Sequence, residues 1–278
     1  MPPTMQPLSH WPADQRRCIT GVFTDIDDTL TSNGAITGNS LQALKALKDA
    51  GLHVIAITGR PVGWSKPFAR TWPVDAIVAE NGSVALVHRG SSDCLGNTCE
   101  DLSRLYLQDS ATRATNFARM QQVAQRVLRE VPGTLLSQDS PGRETDIAID
   151  HNEFTHLEPQ KIAQAVRIMQ SEGMSATVSS IHINGWFGSH NKLVGAEWIV
   201  RELFGRALNA EIGRWAYVGD STNDQLMFQA FEHSVGVANI RRFQSELAHL
   251  PRYVTQGERG AGFAEVAAAL LSARGRPA

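Results

Sequence analysis

Two aspartates at alternate positions, Asp25 and Asp27, follow an apolar run in the segment CITGVFTDIDDTL. On an extended backbone, residues two positions apart point to the same side, so these two carboxylates are expected to lie close together. Neighbouring carboxylates repel each other unless a cation holds both of them ionised. The pair therefore predicts a bound cation or a basic partner.

This pair of carboxylates suits chemistry at phosphorus. Asp25 could act as a nucleophile that forms an aspartyl-phosphate, while Asp27 could protonate the leaving oxygen and later deprotonate water. An acidic turn at a strand end and a calcium loop are the structural alternatives. The calcium loop fits poorly, because Leu30 stands where glycine is needed and Ile36 where a bidentate glutamate is needed. The motif alone leaves the catalytic and structural interpretations equally open.

A second acidic segment, GDSTND, supplies Asp220 and Asp224 after another apolar run. Magnesium prefers hard oxygen ligands and keeps several waters, so one or two carboxylates from each acidic segment would suffice. Asp220 is the expected direct ligand. The same segment also suits a glycine turn in which Asn223 and Asp224 cap a following helix. The two roles are compatible.

Two further residues gain meaning only beside these acidic segments. Thr58, in the segment ITGR, ends an apolar run, where its hydroxyl and nearby N–H groups could hold a phosphoryl oxygen while Arg60 faces the substrate. Lys192 precedes an amphipathic helical pattern, where a lysine is usually only solvated. A cation between the acidic segments could orient Asp25 and offset charge on a transferring phosphoryl group.

Five short runs rich in β-branched residues predict buried parallel strands, and helical patterns separate several of them. With right-handed crossovers, the carboxyl ends of such strands lie on one edge of the sheet, where open α/β sheets bind ligands. Asp25, Thr58 and Asp220 are therefore expected to converge. The five runs are CITGVFT, LHVIAI, VDAIVA, RWAYVG and SVGVA.

Between the third run and Lys192 the patterns change to two amphipathic helices and several alternating strands, which predict an inserted α+β module. We therefore expect an α/β fold, with a Rossmann-like parallel sheet core and an inserted α+β domain. The expected boundaries are a flexible leader at 1–17, a core at 18–89 and 185–278, and the insertion at 90–184.

Composition narrows the partners. A net charge of −2, from 26 basic and 28 acidic residues, gives no field that would recruit nucleic acid or an anionic membrane. No apolar stretch approaches the roughly 18 residues that span a bilayer, and no secretion signal is present, so a cytoplasmic location is expected. The three cysteines, including Cys94 and Cys99, predict neither a disulfide framework nor a zinc site. Oligomeric state stays open.

Taken together, DIDDT, Thr58, Lys192 and GDSTND resemble the four motifs of the haloacid dehalogenase (HAD) superfamily of phosphohydrolases, in the family's order. The insertion resembles a C2-type cap of subfamily IIB, the Cof-type branch with mannosyl-3-phosphoglycerate and sucrose phosphate phosphatases. The resemblance covers nearly everything after the leader. One departure is Asp28, where many relatives carry glycine.

The resemblance implies a role for each motif residue. Asp25 is the implied nucleophile, Asp27 the acid and base, and Thr58 the phosphate binder, with Lys192 as the charge clamp. The implied cofactor is Mg²⁺. Its implied ligands are Asp25, the backbone carbonyl of Asp27, and Asp220, with Asp224 in close support.

Substrate specificity is expected in the insertion, because the core handles only the phosphoryl group. The segment RETD bears some resemblance to the cap of mannosyl-3-phosphoglycerate phosphatases; alternatively, Arg143 and Glu144 pair on the surface and His182 is a partly buried strand residue. The candidate substrate-binding residues are Thr58, Gly59, Arg60, Asn81, Arg143, Glu144, Ser180, His182, Asn184 and Asn223.

The expected activity is hydrolysis of a small phosphomonoester, a phosphorylated sugar or sugar acid, by an Mg²⁺-dependent phosphatase through an aspartyl-phosphate on Asp25. A phosphosugar mutase is the alternative within enzymes. A metal-binding regulatory protein that kept the fold and lost turnover is the alternative from another class.

Overall fold

A computed structural model describes residues 4–88 and 102–275. Cys94 and Cys99 lie outside the described residues. The strands are β1 Gln6–Pro7, β2 Gly21–Thr24, β3 Thr31–Ser32, β4 Ala35–Ile36, β5 His53–Ile57, β6 Ala76–Ala79, β7 Val84–His88, β8 Leu102–Tyr106, β9 Leu135–Leu136, β10 Ile147–Asp150, β11 Ser175–Val178, β12 His182–Trp186, β13 Trp215–Gly219, β14 His233–Gly236 and β15 Tyr253–Val254. The helices are α1 Ala13–Cys18, α2 Gly38–Asp49, α3 Val62–Thr71, α4 Ser110–Glu130, α5 Pro159–Ser171, α6 Lys192–Phe204, α7 Leu208–Glu211, α8 Gln225–Ala230 and α9 Arg259–Ala273.

Over residues 4–88 and 102–275, the main sheet has nine strands in the order β1-β15-β14-β13-β2-β5-β6-β7-β8. Its centre, from β14 to β6, consists of the five predicted runs, all parallel. Alternate residues face opposite sides: Val22 packs in the core that α2 and α9 cover, and Phe23 in the core beneath α6 and α8. Because both faces are covered, these strands read as continuous apolar runs. The predicted α/β core is confirmed.

A second, antiparallel sheet in the order β11-β12-β10-β9 lies between β8 and α6 in the chain. Helices α4 and α5 pack on it through Met120, Val127 and Met169, which form a separate apolar core with Ile149 of β10. This is the predicted inserted α+β domain. We call residues 110–186 the cap.

The cap begins later in the chain than its sequence predicts. Strand β8, Leu102–Tyr106, pairs antiparallel with β7 and so extends the edge of the main sheet, although the sequence analysis placed it in the insertion at 90–184. The run LSRLY has no strong apolar pattern, and only its partner strand β7 shows which sheet it joins.

The predicted flexible leader is also corrected over the described residues 4–17. Strand β1 pairs in parallel with β15 at the far edge of the main sheet. Trp11 is 1% exposed and stacks on both His233 and Tyr253, with ring centroids 5.4 Å away in each case. Burial of this large ring holds the segment against the main sheet. The polar, proline-rich composition of the segment does not predict this contact. Among the described residues, no helix is long and apolar enough to cross a membrane.

Candidate active site

The carboxyl ends of β2, β5 and β13 bring Asp25, Thr58 and Asp220 to one edge of the main sheet, as the parallel topology predicts. The backbone N–H of Asp25 donates to the carbonyl of Val218 on the neighbouring strand at 2.9 Å. Asp25 and Thr58 line the same small cavity. Residues far apart in the chain therefore share one site.

Three carboxylates form a buried cluster at this edge. One oxygen each of Asp25, Asp220 and Asp224 lies within 4.8 Å of the others, and none of the three residues is more than 5% exposed. Burial, together with the charges of Asp25 and Asp224, raises the pKa of Asp220 well above its ordinary value. A close set of hard oxygen donors in need of positive charge fits a magnesium ion. The Asp27 carboxylate is not part of this cluster.

Lys192 places its ammonium group among these acids. Its Nζ lies 2.5 Å from Asp25 Oδ1 and 2.7 Å from Asp224 Oδ1, and the residue is only 3% exposed. Burial alone would lower the pKa of Lys192, but the carboxylates of Asp224 and Asp25 outweigh it and raise the pKa. Lys192 is therefore a charged bridge between the two acidic segments, and the solvated alternative is wrong.

The start of α6 sets the position of Lys192. The Asn191 side chain caps the helix by accepting from the N–H groups of Leu193 and Val194. A close approach holds α6 against the turn after β6: a Cβ on Gly82, which has φ +105°, would lie 2.4 Å from the Asn191 carbonyl oxygen. Glycine is required at this position for both reasons.

Asp224 also organises the acidic segment itself. Its Oδ2 accepts hydrogen bonds from the N–H groups of Asp220 at 2.9 Å and Ser221 at 3.1 Å, and its Oδ1 accepts from the hydroxyl of Tyr217. Ser221 and Asp224 form a reciprocal capping box. Asp224 therefore has a capping role, with Ser221 as its partner in place of the predicted Asn223, and the same bonds hold the backbone at Asp220.

Arg60 lies at the cavity wall, surrounded by three carboxylates. Its guanidinium binds Asp27 with two nitrogens, at 3.0 Å from both Nη2 and Nε. It also binds two cap residues, Asp139 at 3.2 Å and Glu153 at 2.8 Å. Burial lowers the pKa of Arg60, but Asp27 and Glu153 together raise it by more, so the group stays charged. Arg60 thus faces partner carboxylates as well as the cavity.

The cap closes over these residues. Together with Asp25, Asp27, Thr58 and Arg60, the cavity is lined by the predicted contacts Gly59, Ser180, His182, Asn184 and Asn223. Its volume is about 10 Å³, which is room for roughly one water molecule. His182 Nε2 lies 2.8 Å from Glu153 Oε2. With the cap in this position, the cavity is therefore too small for a phosphoryl group.

Three predicted contacts lie elsewhere. Arg143 is 5% exposed and donates to the carbonyl of Gly59 at 2.9 Å and to Asp146 Oδ1 at 2.8 Å. Asn81 donates to Asp146 Oδ2 at 3.2 Å. Neither lines the small cavity; both support the Thr58–Gly59 loop from behind. Glu144 binds Arg104 at 2.5 Å and the hydroxyl of Tyr106 at 2.6 Å, which places its carboxylate against β8.

These contacts converge on two acids, Asp146 and Glu80, whose roles were not predicted from the sequence. Asp146 has partners in Arg143, Asn81 and Asn184, and burial raises its pKa to about 7 despite the charge of Arg143. Glu80 accepts from the N–H groups of Val62, Glu144 and Thr145. The signal for Glu80 was its place directly after the third apolar run, at the same edge of the sheet.

Replacing Arg143 by alanine should lower the free energy of unfolding by about 3–5 kcal/mol, because the buried Asp146 carboxylate loses its cation. The loss should be smaller near pH 5 than near pH 8, since protonation removes the uncompensated charge. The matched control is Glu144→Ala. Its partner Arg104 is 38% exposed, so this change should cost at most about 1 kcal/mol. Urea unfolding measures both, and equal losses would contradict the assigned positions.

The nine-stranded sheet, the acid cluster at its carboxyl edge and the inserted cap together define the HAD fold. Residues 22–98 match the family model described as haloacid dehalogenase-like hydrolase. The match contains two of the four motifs, DIDDT and Thr58, and ends before Lys192 and GDSTND. A search of curated proteins found no match.

Solved structures share this fold over most of the chain. Sucrose-phosphatase from Synechocystis sp. PCC6803 has a TM-score of 0.63 at 15% identity, over 91% of this chain and 98% of that one. A putative HAD/COF-like hydrolase from Plasmodium vivax has a TM-score of 0.64 at 14% identity, over 94% and 99%. A HAD subclass IIB sugar phosphatase has a TM-score of 0.58 at 14% identity, over 90% and 96%. At these identities the likeness concerns the fold.

Proposed function

We propose that the chain is an Mg²⁺-dependent phosphatase that hydrolyses a small phosphomonoester through an aspartyl-phosphate on Asp25. The observation that carries this proposal is the bridge of Lys192 between Asp25 and Asp224, with Asp220 within 4.8 Å. A buried lysine paired with a strand-end aspartate keeps that carboxylate ionised and oriented, which a nucleophile requires.

Each residue then has a step in the reaction. An Asp25 oxygen attacks phosphorus, and the bond between phosphorus and the ester oxygen breaks while Asp27 gives its proton to that oxygen. A water molecule, deprotonated by Asp27, then attacks the phosphorus of the aspartyl-phosphate and releases phosphate and Asp25. Thr58 and the neighbouring N–H groups hold the phosphoryl oxygens. Arg60 keeps the Asp27 carboxylate against the cavity through two hydrogen bonds.

Asp25, Asp220 and the backbone carbonyl of Asp27 would hold the magnesium ion, with Asp224 in support. When bound, the ion supplies positive charge that offsets the charge on the phosphoryl oxygens. Lys192 supplies a further positive charge through its contacts with Asp25 and Asp224. The ion and Lys192 would together balance the three buried carboxylates.

The proposed substrate is a phosphorylated sugar. Two of the structures that share the fold are named as a sucrose-phosphatase and a sugar phosphatase. A cap that covers the site also favours a small molecule over a polymer. Phosphate release from a panel of sugar phosphates and p-nitrophenyl phosphate with Mg²⁺ tests the proposal. Interconversion of isomers without phosphate release would show a mutase instead, and no reaction with any compound would refute hydrolysis.

Removal of divalent metal with a chelator should lower kcat by about 10³-fold, because the three carboxylates then repel the incoming phosphoryl group. Addition of Mg²⁺ in excess should restore turnover. In Asp220→Asn, half-maximal activity should need at least about tenfold more Mg²⁺, since one ligand is lost. Full activity in the presence of chelator would contradict the metal requirement.

A further inference from the structure

A second, larger cavity adjoins the small one. Its interpretation as part of a substrate site rests on the proposed function. Its volume is about 400 Å³, against about 10 Å³ beside Asp25. Asp27, Arg60 and Ile181 line both cavities. A substrate with its phosphoryl group on Asp25 therefore has an adjacent space for its other half, reached past the proposed acid and base.

The cap side of this cavity presents an aromatic ring. Phe154 is 62% exposed, which is unusual for a phenylalanine. Its loop is nevertheless fixed: the buried Asp150 carboxylate accepts from the N–H groups of Asn152 at 3.1 Å, Glu153 at 2.9 Å and Phe154 at 2.9 Å. A rigidly held apolar face at the rim suits the apolar face of a sugar ring.

The core side supplies a polar wall. The hairpin of β3 and β4 turns at Asn33 and Gly34, whose φ values of 52° and 77° match the turn that Asn-Gly favours. Asp28 and Arg259 complete this wall as an ion pair, with 3.0 Å between Oδ1 and Nε. Amide, carboxylate and guanidinium groups here can donate to and accept from hydroxyl groups.

The charges of this lining are paired. It contains three carboxylates, of Asp27, Asp28 and Glu153, and two guanidinium groups, of Arg60 and Arg259. Arg60 binds Asp27 and Glu153, and Arg259 binds Asp28. Arg259 contacts Asp28 through Nε alone, so its pairing is weaker than that of Arg60. The lining has one more negative than positive charge, and a carboxylate that enters here would meet repulsion from this excess.

We propose that this cavity binds the uncharged, hydroxyl-rich half of a sugar phosphate against Phe154, and that the excess negative charge of its lining excludes sugar acids and bisphosphates. This assigns a substrate class to the proposed phosphatase. Asp28, Glu153 and Phe154 are then the residues that distinguish neutral sugars from acidic ones. The broader expectation of a sugar or sugar acid is thereby narrowed to the neutral sugar.

Glucose 1-phosphate and glucuronic acid 1-phosphate test this selection, because they differ only in the group at carbon 6. Titration calorimetry with Mg²⁺ and the Asp25→Asn protein, in which neither compound is consumed, gives both dissociation constants. We expect glucose 1-phosphate to bind at least about tenfold more tightly. Equal affinities, tighter binding of the acid, or no binding of either compound would overturn the proposal.

Three variants in the same Asp25→Asn protein locate the effect. Asp28→Asn removes the partner of Arg259, so the preference for the neutral sugar should fall by about fivefold or more. Phe154→Ala should weaken binding of glucose 1-phosphate by about tenfold. Phe117→Ala, on the 39% exposed ring of α4, is the matched control and should change neither constant. A preference unchanged by Asp28→Asn would place the discrimination elsewhere and overturn the assignment.

Phosphate release by the wild-type protein is measured separately. If sugar phosphates bind with the expected preference and no substrate of the panel is hydrolysed, the selection stands and the proposed function fails. If the panel is hydrolysed and the two sugar phosphates bind equally, the function stands and the selection fails.

Discussion

Replacing Asp25 by asparagine is expected to lower kcat by about 10⁴-fold or more, with the fold retained. The amide of asparagine is a poor nucleophile, so no acyl phosphate forms, and loss of a nucleophile removes nearly all turnover in enzymes of this kind. Phosphate release from the best substrate of the panel, at saturating Mg²⁺, measures the change. A decrease of less than about tenfold would contradict the assignment of Asp25.

The same variant should gain stability without metal. Burial, together with the charges of Asp224 and Asp27, raises the pKa of Asp25 above its ordinary value although Lys192 lowers it. The buried Asp25 carboxylate therefore lowers the stability of the metal-free protein. Replacing it by a neutral amide should raise the melting temperature. Asp109→Asn is the matched control. Asp109 caps α4 from the exposed surface, where asparagine caps equally well, so stability and turnover should be unchanged.

Replacing Lys192 by methionine should lower kcat by about 10³-fold and the free energy of unfolding by about 3–5 kcal/mol. The change leaves Asp25, Asp220 and Asp224 buried together without their protein cation. Urea unfolding with and without Mg²⁺ measures the loss of stability. Because the ion supplies positive charge to the same acids, Mg²⁺ should stabilise this variant more than it stabilises the wild type.

A second substitution separates charge balance from catalysis. Asp224→Asn in the Lys192→Met protein removes one of the repelling charges and keeps an oxygen to accept from Asp220 and Ser221. It should restore part of the lost stability and none of the turnover. Recovery of turnover, or a further fall in stability, would show that Lys192 does not act by balancing these carboxylates.

The convergence of Asp25, Thr58 and Asp220 could be predicted because each follows an apolar run and the carboxyl ends of parallel strands share an edge. Lys192 was predictable only as the fourth member of this set. Its distance to Asp25 depends on the approach of Gly82 to α6, which no local pattern shows.

The cap contacts could not be predicted in the same way. Arg143 meets the Gly59 carbonyl across 84 positions of the chain, and whether it points to substrate or to Asp146 depends on how the cap docks on the core. Glu153 lies in an irregular loop, so no periodicity gives its direction. The segment 4–17 was misjudged for a related reason, because Trp11 is buried by partners on β14 and β15.

The three carboxylates around Arg60 come from two bodies of the protein: Asp27 from the core, Asp139 and Glu153 from the cap. In the proposed mechanism, lifting the cap to admit a substrate would remove both cap carboxylates from this guanidinium in a single movement. Arg60 would then keep its pair with Asp27, the proposed proton donor, as its remaining contact among these three carboxylates. Closure would restore both ion pairs, so these contacts of Arg60 favour the arrangement in which the cap lies on the core.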